Sequence, residues 1–217
     1  MMLIDKTNIS NIRREYISGQ LRHTDLTNQP IQLFSVWLHQ AYFSKIPDPT
    51  AMCLATVDHT GQPYQRVVLL KNFTNKEMIF YTNLSSRKAM HLANNPKVSL
   101  CFLWNVIDRQ VIITGSVDKL PEKEVLKYFY TRPKNNQIST WVSNQSKVIS
   151  SKDLLENKFL EFKKNHLHKK VPFPEFWGGY KININSMEFW QGGTHRLHDR
   201  FIYQRYKHTW RIYRLSP

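Results

Sequence analysis

The segment Glu188-Phe189-Trp190-Gln191-Gly192-Gly193-Thr194-His195-Arg196-Leu197-His198-Asp199-Arg200 holds more charged and hydrogen-bonding groups than a packed core can use. Read as an extended run, residues 196–200 alternate, which puts Arg196, His198 and Arg200 on one face and Leu197 and Asp199 on the other. Two guanidiniums and an imidazole on one face repel each other unless an anionic, planar ligand lies among them. The same pattern suits a solvated strand edge dressed with charge, and spacing alone leaves both readings open. Two further sets stand earlier in the chain. Tyr128 and Arg132 are four apart at the end of a predicted helix, so they share a face and can reach one anion. Arg87 and Lys88 follow two serines in the first turn of another, where free backbone N–H groups and the positive dipole end suit a phosphate. Taken alone, Arg87 and Lys88 also pass as surface charges.

Other chemistries find less support. His195 and His198 are three apart, but no nearby Cys or repeated acid completes a set of ligands, so no metal is expected. The chain has no Gly-x-Ser-x-Gly, no P-loop and no dinucleotide Gly-x-Gly-x-x-Gly, which leaves an obligatory nicotinamide unsupported.

The elements that must position these residues are mostly strands. Alternation and β-branched content predict strands over residues 52–57, 64–70, 78–82, 98–104 and 110–117, with 180–185 and 201–203 flanking the C-terminal cluster. Asp58-His59-Thr60-Gly61 reads as a hairpin turn, and Gly192-Gly193 as a tight connection. Arg66 and Lys71 stand at the two ends of one strand. Helices are predicted over residues 12–17, 32–42, 85–94, 121–130 and 151–164, the fourth with Pro121 in its first turn and Pro133 beyond its end. Periodicity alone gives a mainly β, α+β domain, and short strands in quick succession suggest a small antiparallel barrel.

At 217 residues, with 41% hydrophobic and 13% aromatic content, the chain suits one folded domain rather than a disordered tail. No apolar run reaches the length of a membrane span and the start lacks a secretory core, so a cytoplasmic protein without membrane contact is expected. Cys53 and Cys101, both in apolar strand-like runs, read as buried thiols in a reducing compartment. The net charge of +15 can signal nucleic acid, yet the lysines are scattered and the densest group, at residues 163–170, closes a helix where cations complement the dipole. No nucleic-acid partner is therefore expected.

Taken together, the motifs resemble the pyridoxine/pyridoxamine 5′-phosphate oxidase family. Glu188-Phe189-Trp190-Gln191 followed by Arg196-Leu197-His198-Asp199-Arg200 is similar to its signature. Arg13-Arg14-Glu15-Tyr16, Asp48-Pro49-Thr50-Ala51-Met52, the run from Gln62 to Lys71, Tyr81-Thr82-Asn83 and Ser86-Arg87-Lys88 resemble family segments in the right order. So do Tyr128-Phe129, Arg132-Pro133, Trp141-Val142-Ser143, Gln145-Ser146 and Phe176-Trp177-Gly178-Gly179, and the likeness covers about residues 12–217.

The resemblance implies an FMN-binding split β-barrel with flanking helices, a homodimer with flavin between the subunits. It also implies oxidation of pyridoxamine or pyridoxine 5′-phosphate by O2 to pyridoxal 5′-phosphate. By similarity, FMN falls to Arg66, Val67, Val68, Leu69, Leu70, Lys71, Tyr81, Thr82, Arg87, Lys88, Gln110, Gln145, Ser146, Trp190 and Arg200. The substrate phosphate falls to Lys71, Tyr128, Arg132 and Asn136, and the pyridine ring to Arg196 and His198. Arg13 and Tyr16 match a mobile N-terminal lid of about residues 1–20, and Asp48 an active-site acid. Thr131 and Asn136 replace serines usual in the family. Two readings compete: a split-barrel flavin protein acting on another substrate, and a basic nucleic-acid module without a cofactor. The full signature together with Tyr128 and Arg132 argues against the first.

Overall fold

Pro30 opens the first helix because a proline there gives up only an N–H that a helix start leaves unbonded. That helix, α1 (Pro30–Phe43), buries Ile31, Leu33, Phe34, Trp37 and Ala41, the three-and-four spacing of a single apolar stripe. The computed structural model describes residues 6–217; residues 1–5, the start of the expected lid, lie outside the described residues. The nine strands are β1 (Ala51–Val57), β2 (Pro63–Leu69), β3 (Asn72–Phe73), β4 (Glu77–Asn83), β5 (Lys97–Trp104), β6 (Arg109–Lys119), β7 (Trp177–Gln191), β8 (Asp199–Tyr206) and β9 (Thr209–Leu215). The other helices are α2 (Arg87–Asn94), α3 (Glu122–Thr131), α4 (Lys134–Val142) and α5 (Lys152–Asn165).

The strands make one antiparallel sheet in the order β2-β1-β5-β6-β7-β4-β3, with β8 on β7 and β9 on β8; the pairing is an open path rather than a closed ring. β1 alternates half-buried and buried along its length, which turns Met52, Leu54 and Thr56 to one side. β7 is longer than the predicted 180–185: it pairs with β4 over 177–183 and with β8 over 186–191. By contacts the chain forms two compact units, one of residues up to 49, 101–112 and 186–217, the other of 50–100 and 113–185. β5, β6 and β7 each begin in one unit and end in the other.

Each unit has its own core. In the first, Phe34 meets Phe102 edge-on at 5.0 Å and Trp37 meets Phe189 at 5.2 Å. In the second, Ile79, Leu120, Val125, Phe129, Ile138, Val171 and Trp177 pack together under α3 and α4. Fully burying one such side chain stabilises by about 1.5–3 kcal/mol.

The helices differ from expectation in two places. Residues 12–17 are not helical; a 3-10 turn covers Lys6–Asn11, and the chain that follows spends its polar groups elsewhere, Arg14 and Ser18 bonding to Asp108. Helix α4 was not predicted. Pro133 ends α3 by forcing Arg132 into an extended conformation (ψ 147°), then caps α4 itself. Cys53 and Cys101 are half-buried rather than buried, and no disulfide joins them. Among the described residues no helix is long and apolar enough to cross a membrane, and no group of three His, Cys, Asp or Glu is placed to hold a metal.

Candidate active site

In the second unit a cavity of about 410 Å³ gathers residues from six elements. Val67, Val68 and Leu69 of β2 form one wall, with Lys71 just beyond; Tyr81 and Thr82 come from the end of β4, and Lys88 from the first turn of α2. Tyr128 and Arg132 enter from the end of α3, Asn136 and Thr140 from α4, then Gln145 from the next loop and Trp177 from the start of β7. Most of the residues that similarity divides between cofactor and substrate phosphate thus line one cavity. Leu70 does not; it is buried in the core and its N–H donates to the Thr50 carbonyl.

One wall is an aromatic stack. The Tyr81 ring lies 4.0 Å from that of Tyr128 and 5.2 Å from that of Trp177, nearly parallel to both. The Arg132 guanidinium lies 4.6 Å from the centre of the Trp177 ring, donating from Nη1 to Thr140 Oγ1 at 2.9 Å and from Nη2 to the Asn136 carbonyl at 3.0 Å. Burial lowers the Arg132 pKa. Burial, then Tyr128 and Glu124, push the Tyr81 phenol up to about 12, and burial raises Tyr128 against the pull of Arg132. Both phenols remain O–H donors at neutral pH. Gly178 and Gly179 permit this packing: a Cβ on Gly179 would come within 2.8 Å of the Tyr81 ring and one on Gly178 within 2.6 Å of Leu84.

Three cations collect at the start of α2. Lys88 Nζ, buried, donates to Thr82 Oγ1 at 3.1 Å and Gln145 Oε1 at 3.0 Å; burial and the neighbouring Arg66 lower its pKa to about 8. Arg66 donates from Nη1 to the Leu54 carbonyl at 3.1 Å and to Thr56 Oγ1 at 2.6 Å. Burial lowers the Arg66 pKa and the Arg87 charge adds to this, with Cys53 pulling the other way. The Arg87 backbone N–H donates to Ser146 Oγ at 3.3 Å, and its guanidinium lies 5.5 Å from the Tyr64 ring. Ser86, which caps the helix, keeps a buried Oγ with no hydrogen-bond partner. None of the three cations pairs with a carboxylate among the described residues. Cations held by neutral groups around an orphaned hydroxyl at a helix start suit a phosphate, and the residues fit the phosphate of FMN.

The C-terminal cluster departs from its predicted form. Residues 194–196 make a 3-10 turn in which His195 and Arg196 have φ of 55° and 63°, and β8 begins only at Asp199. Arg196, His198 and Arg200 therefore do not share one extended face. The tight approach at Gly193, whose N–H donates to His198 Nδ1 at 3.2 Å, folds the run instead. Arg200 donates from Nε and Nη2 to Glu188 at 3.0 and 2.8 Å and from Nη1 to the Ser216 carbonyl at 2.7 Å. The centre of this unit's cluster is Tyr16: edge-on to Trp190 at 5.6 Å and to His198 at 5.4 Å, between the guanidiniums of Arg14 at 4.6 Å and Arg196 at 5.2 Å. Burial, with Arg196 and Arg200 nearby, lowers the His198 pKa, so that imidazole is neutral at pH 7.

Asp108 holds this cluster together. It is buried with a left-handed φ of 54°, ion-paired to Arg14, and accepts from Ser18 Oγ at 2.7 Å and Ser18 N at 3.3 Å, while its carbonyl accepts from Gly192 N at 2.8 Å. Of the remaining expected residues, Arg13 donates to the Ser10 carbonyl in the strap before Tyr16, Asp48 is exposed in a turn (φ 49°), and Gln110 and Trp190 are half-buried on β6 and β7. Residue reasoning gave no site role to Trp177, Thr140 or Asp108. The Gly pair after Trp177 marked the first; nothing in the sequence marks Asp108, whose role depends on contacts with residues distant in the chain.

Residues 38–166 match the family described as pyridoxamine 5′-phosphate oxidase, and residues 177–217 the pyridoxine 5′-phosphate oxidase C-terminal dimerisation region. A pyridoxine/pyridoxamine 5′-phosphate oxidase of Blochmanniella floridana is 65% identical over 99% of this chain and all of its own length. One of Pectobacterium atrosepticum is 57% identical over 99% of this chain and 95% of its own. Among solved structures, PhzG from Burkholderia lata, in complex with tetrahydrophenazine-1-carboxylic acid, superposes with a TM-score of 0.84 at 28% identity, covering 89% of this chain and 95% of that one. A pyridoxamine 5′-phosphate oxidase-related, FMN-binding protein of Nostoc punctiforme shares the fold at a TM-score of 0.69 and 14% identity, over 85% of this chain and 97% of that one.

Proposed function

The chain belongs to the pyridoxine/pyridoxamine 5′-phosphate oxidase family, and we propose a division of its site residues between cofactor and substrate. The enzyme is an FMN oxidoreductase: it oxidises pyridoxamine or pyridoxine 5′-phosphate to pyridoxal 5′-phosphate and passes the electrons to O2, releasing H2O2 and, from the amine, ammonia. FMN, when bound, supplies the hydride acceptor. Arg66, Arg87, Lys88, Thr82, Gln145 and Ser146 hold its phosphate and neighbouring oxygens, while β2 from Val67 to Leu69 gives an apolar wall for the ring system. Arg132, Tyr128, Lys71 and Asn136 take the substrate phosphate. Arg196 and His198 orient the pyridine ring, with Tyr16 and Arg13 closing over it, and Gln110, Trp190 and Arg200 complete the flavin surroundings. Asp48 is assigned, by similarity alone, as an active-site acid.

The observation that carries this reading is the one cavity in which buried Lys88 and half-buried Arg132 each meet neutral partners rather than carboxylates. Two partly desolvated cations without carboxylates suit two phosphate esters. The assembly is a homodimer with FMN between the subunits, a reading supported by the match of residues 177–217 to a dimerisation region. A cytoplasmic location is supported by two cysteines that no disulfide joins. The test is flavin titration with an oxygen-coupled assay on both phosphorylated vitamers and on pyridoxine without phosphate. One FMN per subunit, a dimer, and turnover confined to the phosphorylated compounds are expected. Equal turnover of unphosphorylated pyridoxine would remove Arg132, Tyr128 and Lys71 from their role.

A further inference from the structure

We infer that His91 is a positioning residue for the cofactor phosphate: through the Thr56 hydroxyl it fixes the guanidinium of Arg66 in the cationic site at the start of α2. The inference rests on the assignment of that site to the phosphate of FMN.

Thr56 is 1% exposed, and its Oγ1 has two hydrogen-bond neighbours, Arg66 Nη1 at 2.6 Å and His91 Nδ1 at 3.0 Å. A guanidinium only donates, so one lone pair of the hydroxyl goes to Arg66. The hydroxyl has one proton, and His91 Nδ1 is the acceptor within reach. The chain of bonds therefore runs from Arg66 to Thr56 to His91. It requires a neutral imidazole with its proton on Nε2. A proton on Nδ1 would set two donors against Thr56 Oγ1 and leave a buried hydroxyl proton without an acceptor.

The surroundings keep the ring neutral. His91 is buried on the inner face of α2 beside Lys88, and the Tyr64 ring lies 5.0 Å away. Burial, then Arg66, Arg87 and His59, lower its pKa against the opposing pull of Asp58. With Nη1 spent on the Leu54 carbonyl and Thr56, Arg66 has its Nη2 edge left for an anion. An apolar residue at 91 would leave the Thr56 proton unmatched and its hydroxyl free to turn, so that Arg66 is held less firmly and an arriving phosphate has to order it. That ordering is the cost that preorganisation avoids.

Nitrogen-resolved NMR of His91 in the FMN-loaded enzyme reads the tautomer directly; protonated Nε2 with bare Nδ1 is expected, and a protonated Nδ1 overturns the relay. Flavin fluorescence gives the second readout. Thr56→Val and His91→Leu should each raise the FMN Kd about fivefold, the size of one neutral hydrogen bond. Thr56→Ser should bind like the parent, and His91→Asn should return to within about twofold, because its Oδ1 can accept where Nδ1 did. Riboflavin, which lacks the phosphate, should bind all five proteins alike. Equal loss of riboflavin and FMN would show a structural role and overturn the proposal. If Arg66→Ala loosens FMN while Thr56→Val does not, the relay fails and the phosphate site stands. If Arg66→Ala binds FMN as tightly as the parent, both fail together.

Discussion

The cavity of the second unit and the C-terminal cluster of the first are both rich in arginine and lysine, but different groups answer the charge. Around the cavity, Arg66, Lys88 and Arg132 meet hydroxyls, amides, carbonyls and, for Arg132, the Trp177 ring, and no carboxylate among the described residues. In the cluster, Arg14 meets Asp108, Arg200 meets Glu188 and Arg214 meets Asp199. A buried cation with neutral partners keeps a desolvation cost that an arriving anion offsets, whereas one paired with a carboxylate is already balanced and acts as a strut. Unanswered charge marks where ligands go; answered charge marks what holds the frame. Among the arginines of residues 188–200 Arg196 is the exception, resting on the Tyr16 ring with no carboxylate partner among the described residues.

That exception predicts the largest effect. Arg196→Ala should lower kcat/KM for both vitamers by about a hundredfold, the order of loss from misplacing a reacting carbon by about 1 Å, and leave FMN affinity nearly unchanged. Arg200→Ala, which removes a flavin neighbour and strands the half-buried Glu188, should loosen FMN and lower the melting temperature. Flavin titration, melting and steady-state kinetics on the two variants test the contrast. Flavin loss from Arg196→Ala with unimpaired melting and flavin binding in Arg200→Ala would reverse it.

Next in size is Arg132→Ala in the other unit. A hydrogen bond to a charged group is worth about 1.5–3 kcal/mol, so substrate KM should rise roughly ten- to a hundredfold. The contact is present before and during hydride transfer, so kcat should change less. A fall in kcat with KM unmoved would mean that Arg132 belongs to the frame, and that an unanswered charge is no guide to a ligand.

The same contrast explains how much could be read from the sequence. Strand alternation located seven of the strands, five of them within about two residues of their ends, and in β1, β5 and β6 the cause is plain: Met52, Leu54 and Thr56 and their counterparts face inward at every second position. The cavity residues were legible because local motifs, a helix start for Lys88 and a helix end for Arg132, deliver them. The cluster was misread. Its geometry depends on two left-handed residues, His195 and Arg196, and on Asp108, whose bonds to Ser18 and Gly192 join positions about ninety and eighty-four apart. Alternation cannot see either. Helix α4 was hidden for a third reason, since Pro133 was read only as the end of α3, though a proline also starts helices well.

A smaller effect follows from the pKa of Lys88. Burial beside Arg66 puts it at about 8 in the free protein, and a bound phosphate raises it, so FMN binding takes up a proton near pH 8. Affinity should be flat below about pH 7 and decline above 8, by about fourfold at pH 8.5 if the bound lysine stays charged. Lys88→Arg, charged throughout, should remove the decline above pH 8 whatever its effect on affinity. A parent titration flat to pH 9 would mean the charge is already answered.

The smallest expected effect lies in the frame itself. Asp108→Asn keeps a residue that tolerates the left-handed backbone and can still accept from Ser18, but removes the charge that Arg14 meets. Burial works against the Asp108 carboxylate, but the bonds from Arg14 and Ser18 outweigh it, and the pKa is lowered. A carboxylate with a lowered folded pKa gives stability that is present above its unfolded value, near 3.9, and lost as pH falls through the folded one. At pH 7 the strap through Tyr16 and Ser18 should therefore be docked in the parent, and amide exchange at Ser18 should quicken about threefold in Asp108→Asn, with little change in melting. In acid the parent should lose this protection, once intrinsic exchange rates are allowed for, while the variant should show no step there. Because Tyr16 lies against His198 and Arg196, the variant should also raise substrate KM slightly and leave FMN affinity alone. If exchange at Ser18 is the same in both proteins at every pH, Asp108 is not what holds the strap, and a carboxylate beside a cation is not enough to identify a strut.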